Sequence, residues 1–303
     1  MSEEEKQYLK QYDIGKYERP SVTADMAVFA VMGMNDNQTK NYRKDPEQSL
    51  QLLLIKRGGH PYKDTWALPG GFCQKDESTT ETARRELREE TGISDAYLRP
   101  FDIFSEPDRD PRGWIISHAF LTLIDGTKCN LHASSDAREA EWFSVSVEKT
   151  NLRREIDHEQ AHITNSYLIT LVCGQSPIRQ EELRLTAEVL EKRNFVNYHE
   201  TVTYDIASCD NLAFDHAKII LCAFLRLQNE VNENGKPVFD LMPEKFTLAQ
   251  LQSAFEIVQG KKLIVPNFRR KMADYVTETD EFSEGAGHRP AKLFKRNLEA
   301  FYE

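Results

Sequence analysis

Residues Gly71 to Ile93 read GFCQKDESTTETARRELREETGI. Ser78-x-x-Glu81 is a capping box, in which the hydroxyl accepts an orphan backbone N–H and the carboxylate reaches back to the cap. Gly92 suits the left-handed position after a helix, so the pattern predicts a helix over 79–91. At about 100° per residue, Ala83 and Leu87 share a face that would pack on a core, and Glu86, Glu89 and Glu90 share an arc of about 100° beside it. Arg84, Arg85 and Arg88 lie roughly opposite. Carboxylates one turn apart repel, at a cost of roughly 0.2–0.5 kcal/mol per pair. A divalent cation removes that cost, and a set of hard oxygen donors suits Mg²⁺ or Mn²⁺. Such an ion stabilises the charge of a transferring phosphoryl group and acidifies an attacking water. Spacing alone is also compatible with a solvated helix laced by i±3 and i±4 ion pairs.

Taken together, Gly71, Glu77, Arg85-Glu86-Leu87, Glu89-Glu90 and Gly92-Ile93 resemble the Nudix box of the Nudix hydrolases at every defined position, and the preceding Trp66-Ala67-Leu68-Pro69-Gly70-Gly71 is also typical of that family. The resemblance implies an α/β/α sandwich with a mixed sheet, a loop–helix–loop catalytic element, and Mg²⁺- or Mn²⁺-dependent hydrolysis of a nucleoside diphosphate linked to another moiety. It implies metal-binding and water-activating roles for Glu86, Glu89 and Glu90, a further metal contact from the Gly71 carbonyl, and a supporting role for Glu77. Arg85 is implied to orient the helix glutamates by charge-assisted hydrogen bonds. Many members recruit one more acid from a loop outside the box. Asp136 and Glu139 are the candidates, a plain surface loop being the alternative. The charged, proline-rich segment Phe104–Gly113 reads by itself as an exposed loop joining two strands. It also resembles the loop of ADP-ribose-type Nudix proteins, as Tyr17–Thr23 resembles their entry strand. That puts Arg109 and Arg112 forward as phosphate contacts, with Arg57 as a third. ADP-ribose is the favoured substrate; dinucleotide polyphosphates, nucleotide sugars and oxidised nucleotides are alternatives.

Working outward, Ser21–Met34, Leu50–Ile55, Ile115–Ile124 and Glu141–Val145 read as strands, Asn35–Pro46 as a solvated loop, and 62–72 as irregular. Residues 1–20 read as a polar arm. Past Asn151 the chain reads as a β-rich extension, with a helix left open for EELRLTAEVLEKR. Phe214–Asn229 has the spacing of an amphipathic helix. His216 has two open roles: metal ligand or base beside Asp215, or a helix-terminal residue bridging two domains. The expected layout is a Nudix domain over 1–150, its β-rich extension over 151–211, a connecting helix over 212–235 and a second domain over 236–303.

The chain has 303 residues and a formal net charge of -10, and such acidity first argues against nucleic acid. It is not evenly spread. Residues 241–303 hold ten Lys/Arg against nine Asp/Glu, a net of +1, which leaves -11 on the first 240. There, Thr247–Val258 predicts a helix with Leu248, Leu251, Phe255 and Val258 inward. Pro266–Val276 predicts a second helix with Phe268, Met272 and Tyr275 inward and Arg269, Arg270 and Lys271 outward. Glu278–Gly287 reads as an acidic loop, and Arg289–Lys295 as a short basic strand. That order matches a winged helix-turn-helix, whose second helix would enter the DNA major groove. Lys261, Lys262, Asn267, Arg269, Arg270, Lys271, Arg289 and Lys292 are the expected contacts. A helical dimerisation or lid domain is the alternative. The segments Leu212–Ala217, Pro243–Gln252, Asn267–Lys271 and His288–Phe294 resemble the Nudix-related transcriptional regulators of NAD metabolism, in which a Nudix domain carries a C-terminal winged helix. The resemblance implies double-stranded DNA and a second copy of the chain as partners. Two features depart from it: the 149–210 segment is long for a connection, and the box is intact where many such regulators have degraded ones. The five cysteines are scattered without a CxxC pair, which speaks against a disulfide framework or zinc site and for reduced thiols in the cytoplasm. With no apolar run near ~18 residues and a polar, acidic start, neither a membrane span nor a signal peptide is expected.

Overall fold

The computed structural model describes residues 1–33, 48–94, 96–128, 137–157, 159–174, 181–197, 199–283 and 290–302. The elements in chain order are α1 (Glu3–Gln11), β1 (Ser21–Gly33), β2 (Gln48–Arg57), β3 (Trp66–Ala67), β4 (Gly70–Phe72), α2 (Thr79–Thr91), β5 (Leu98–Phe104), β6 (Ile115–Ile124), β7 (Ala137–Ile156), β8 (Gln160–Cys173), β9 (Leu183–Val196), β10 (His199–Cys209), α3 (His216–Glu233), α4 (Leu248–Gln259), α5 (Val265–Met272), β11 (Val276–Phe282), β12 (Lys292–Arg296) and α6 (Glu299–Tyr302). The fold is α+β. Strands β1 to β10 form one mixed sheet in the order β10-β9-β8-β7-β2-β1-β6-β5, with β3 beside β2 and β4 beside β1. Strands β1 and β6 run parallel.

Strand β1 explains the layering. Its side chains alternate between faces, and both faces are buried. Ala24, Met26, Val28 and Ala30 meet Ala83 and Leu87 of α2 on one side. Ala27 and Phe29 join the core that includes Ile220 and Leu227 of α3 on the other. Helix α2 spans the predicted residues, with Ser78 as a reciprocal capping box and Gly92 left-handed at φ 79°. The 62–72 segment is less irregular than expected, because β3 and β4 pair with β2 and β1. Strand β5 escaped a reading from residue pattern because Pro100 interrupts it. At the edge of the sheet a missing N–H is tolerated, and the ladder slips between Pro100 and Asp102.

The segment with two open readings is a strand. In β9, Leu185, Ala187, Val189 and Glu191 are buried alternately, a period of two that a helix does not produce. The boundary expected at 150/151 falls inside β7, which pairs with β8 from Ser144 to Ile156 on both sides of it, the ladder slipping once between Lys149 and Asn151. The extension therefore continues the Nudix sheet. Its inner face is covered by α3, which buries Ala217, Ile219, Ile220, Leu221 and Ala223.

Helix α3 leads into the C-terminal unit. Thr247 caps α4 with a capping box of its own, and Phe255 of α4 meets Phe268 of α5 edge-to-face at 5.3 Å. Strands β11 and β12 pair antiparallel, and Phe246 and Phe294 exchange backbone hydrogen bonds of 3.0 and 2.8 Å. This is a winged helix. The segment expected as an acidic loop from Glu278 is in part β11, because its alternating Thr and acidic residues suit an exposed wing strand. The reading of Asn35–Pro46 lies outside the described residues. Among the described residues no helix is long and apolar enough to cross a membrane, and no cysteine pair forms a disulfide.

Candidate functional site

Helix α2, β4, the end of β2, the 105–113 loop and the start of α3 surround an open cavity of about 900 Å³. Its acidic wall is built by α2. Arg85 grips Glu77 through Nε (2.8 Å) and Nη2 (3.0 Å), reaches Glu86 at 2.7 Å and Glu89 at 3.3 Å, and donates to the Phe72 carbonyl at 3.2 Å. One guanidinium thus ties the loop before α2 to two helix glutamates. Its hydrogen bonds hold the Glu77 carboxyl down to about 2, and Glu77 in turn raises Arg85.

Glu90 differs from its neighbours. It is buried, and Gly70 N–H donates to its Oε2 at 2.8 Å. Burial, with Glu86 and Asp25 nearby, pushes its carboxyl up to about 8. Burial raises Glu86 as well. Gly71 is packed so closely that an added Cβ would stand 2.3 Å from Glu86 Oε1, so only glycine lets that carboxylate sit over β4. Among the described residues no group of three or more His, Cys, Asp or Glu side chains is arranged to hold a metal ion. Arg85 holds Glu86, and Gly70 holds Glu90. The donor set nevertheless fits a hard divalent cation: Glu86, Glu89 and Glu90 all line the cavity with oxygen donors, and a buried carboxyl ionises readily only if a cation compensates it.

The opposite wall is cationic. Arg57 donates Nε to the Pro61 carbonyl at 3.1 Å, and its Cζ lies 4.7 Å from the ring centroid of Phe214. Arg112 is held by Asp110 through Nε (3.0 Å) and Nη2 (2.7 Å) and stands over both Phe72 (4.7 Å) and Phe214 (5.1 Å). Arg109 also lines the cavity, but its charge is engaged. Nε and Nη2 form a two-point pair with Asp215 at 2.9 and 2.7 Å, both side chains being buried. That pair locks the 105–113 loop to the start of α3.

His216 joins the start of α3 to Leu68 and Asp25 of the Nudix domain. It is fully enclosed, accepts the Leu68 N–H on Nδ1 at 2.9 Å, and turns Nε2 towards Asp25 at 3.9 Å. Accepting on Nδ1 places the proton of the neutral ring on Nε2, and burial lowers its ionisation point. Asp25 was not singled out from the sequence, although a lone acid inside the apolar run of β1 is a visible signal. Thr23 and Ser117 donate to it. Phe214 was not assigned a role either. Glu139 pairs with Lys56 at 3.3 Å. Asp136 lies outside the described residues.

The second cluster is remote from the cavity. Asn267, Arg269, Arg270 and Lys271 are exposed on α5, and Lys261 and Lys262 on the turn before it. Lys262 pairs with Glu256 at 2.9 Å, and Lys292 on β12 with Glu278. Phe268 and Met272 face inward as expected, and Tyr275 is half-buried. Arg289 lies outside the described residues.

Two family models match the chain: a NUDIX domain over residues 41–166 and the NrtR DNA-binding winged helix domain over 238–295. The chain is 31% identical over 301 residues to the ADPR responsive transcriptional repressor NtrR of Acinetobacter baylyi, covering 98% of this chain and 90% of that one. It is 41% identical over 115 residues to an ADP-ribose pyrophosphatase of Methanocaldococcus jannaschii, covering 38% of this chain and 64% of the other. A crystal structure of a MutT/nudix family protein from Enterococcus faecalis superimposes with a TM-score of 0.65 at 28% identity, over 98% of this chain and 94% of that one. The end-to-end match, the Nudix sheet with its α2 box and the winged helix agree: the chain belongs to the family of Nudix proteins that carry a C-terminal NrtR-type DNA-binding winged helix domain.

Proposed function

We propose that the protein is a DNA-binding transcriptional regulator whose Nudix domain binds ADP-ribose or a related nucleoside diphosphate. The observation that carries this reading is the exposed basic face of α5 on a winged helix, in a chain that resembles an ADPR responsive repressor from end to end. Arg269, Arg270, Lys271 and Asn267 would meet bases and phosphates in the major groove, with Lys261, Lys262, Arg289 and Lys292 on flanking phosphates. A homodimer would present two such helices to two half-sites, in the cytoplasm. In the cavity, Arg57 and Arg112 would take the diphosphate. Helix α3 carries the coupling. Its first turn is fixed to the cavity through Asp215 and His216, and Gln228 Nε2 donates to the Val258 carbonyl at the end of α4 at 3.0 Å. A ligand shifts DNA affinity only by preferring one arrangement of that helix over another.

The test is a mobility shift of the full chain on its own upstream DNA, titrated with ADP-ribose. Binding that weakens with salt, disappears in Arg269→Ala/Arg270→Ala and is released by ADP-ribose is expected. Retention of full affinity by that double variant would remove the recognition helix.

The intact box favours a second activity, hydrolysis of the bound diphosphate. Glu86, Glu89, Glu90 and the Gly71 carbonyl would hold a Mg²⁺ or Mn²⁺ ion. When bound, that ion supplies charge stabilisation to a phosphoryl group and acidifies water. Arg85 keeps the glutamates aimed at the cavity, and Asp136 is the candidate extra base. If ADP-ribose is the substrate, the products are AMP and a ribose phosphate. Glu90→Gln should abolish Mg²⁺-dependent turnover while leaving DNA binding intact; unchanged turnover excludes the assignment.

A further inference from the structure

Phe214 has an unusual setting. It is an aromatic residue with φ at +52°, a left-handed conformation that bulky side chains rarely adopt. Both sides of it are fixed. Asn211 and Ala213 exchange hydrogen bonds with Trp66 at 3.0 and 2.8 Å, and Asp215 is held by Arg109. The backbone therefore sends the ring into the cavity wall, where Tyr62 packs against it edge-on at 4.8 Å. The guanidiniums of Arg57 and Arg112 both lie within about 5 Å of this one ring.

Two cations this close repel, and burial, together with Arg112, pulls Arg57 below its ordinary ionisation point. The electron-rich ring attracts both and offsets part of that repulsion. Donors remain for an anion. Among the described residues, Arg57 uses only Nε and Arg112 uses Nε and Nη2. That leaves both Nη groups of the first and Nη1 of the second. A paired phosphate, with charge and acceptors on two centres, is the chemistry that fits such a pair.

We infer that Phe214 is a positioning residue for the diphosphate of the ligand: its ring attracts Arg57 and Arg112, and its backbone, adjoining the cap of α3, passes their engagement to the helix that reaches the winged helix. This rests on the ligand class proposed above.

The test is calorimetry on the full chain with ADP-ribose and, separately, with inorganic pyrophosphate. Phe214→Leu should weaken both by about tenfold, whereas Phe214→Tyr, which keeps the ring, should stay within about twofold. Arg57→Lys keeps the charge but not the planar group. Combined with Phe214→Leu, it should lose less than the product of the two single losses, since part of each acts through one shared contact. Phe214→Leu should also raise the ADP-ribose concentration that releases DNA by the same factor. Wild-type affinity in Phe214→Leu, losses that simply multiply in the double variant, or unchanged DNA release would each overturn the inference. Should Phe214→Leu fail to fold, Phe214→Met serves the same comparison. A wild type that binds pyrophosphate but not ADP-ribose overturns the ligand reading alone, and the cycle on pyrophosphate still decides this one. Binding of neither overturns both.

Discussion

Glu90→Gln should stabilise the metal-free protein strongly at pH 8 and only slightly at pH 5. Glu90 is buried with one hydrogen bond from Gly70, and its carboxyl is raised from 4.5 to about 8. Below pH 4.5 the group is protonated in both folded and unfolded chains and costs nothing. Between 4.5 and 8 the unfolded chain releases the proton while the folded one retains it, so stability falls as pH rises. It levels off above 8, where both forms are ionised. At about 1.36 kcal/mol per pH unit, the full loss is on the order of 3–5 kcal/mol. Glutamine keeps the carbonyl that accepts the Gly70 N–H and cannot ionise. Thermal unfolding in chelator at pH 5, 6.5 and 8 measures the difference. The curves should lie close together at pH 5 and separate by about 10 °C at pH 8, the variant being the more stable. Adding Mg²⁺ or Mn²⁺ at pH 8 should raise the wild type and not the variant. Parallel profiles from pH 5 to 8 would refute the reasoning, since they would mean that Glu90 carries no burial penalty.

Arg109→Met should destabilise the fold by about 3–5 kcal/mol in urea unfolding, because it leaves Asp215 buried and uncompensated; adding Asp215→Asn should recover much of that loss. Gly71→Ala should lower stability by less than about 1 kcal/mol, because the Cβ meets only the movable end of Glu86. The same change should remove Mg²⁺-dependent turnover by displacing that carboxylate; full activity in a kinetic assay would contradict the placement. Glu77 is held at about 2 by Arg85, so its stabilising contribution is present above 4.5 and fades as pH falls towards 2. Acid unfolding of Glu77→Gln should accordingly be less steep over that interval than that of the wild type.

What the residues determined by themselves was local. The α2 helix with its caps, the three glutamates on one arc, the apolar strands and the α4–α5 pair with its outward arginines follow from periodicity and capping, which act over a few residues. Two regions resisted for equally local reasons. Strand β5 contains Pro100, and β9 pairs good helix formers with an alternation that becomes decisive only once α3 lies against it. The cavity was decided by tertiary structure. Asp25, Arg57, Arg109, Phe214 and His216 come from segments far apart in the chain and converge through the sheet. Whether Arg109 is a free phosphate hook or one half of a buried ion pair depends on a partner 106 residues away. Identical side chains at Arg57, Arg109 and Arg112 thus acquire different roles. A guanidinium's availability is set by what it packs against, and packing of that kind is a property of the folded chain.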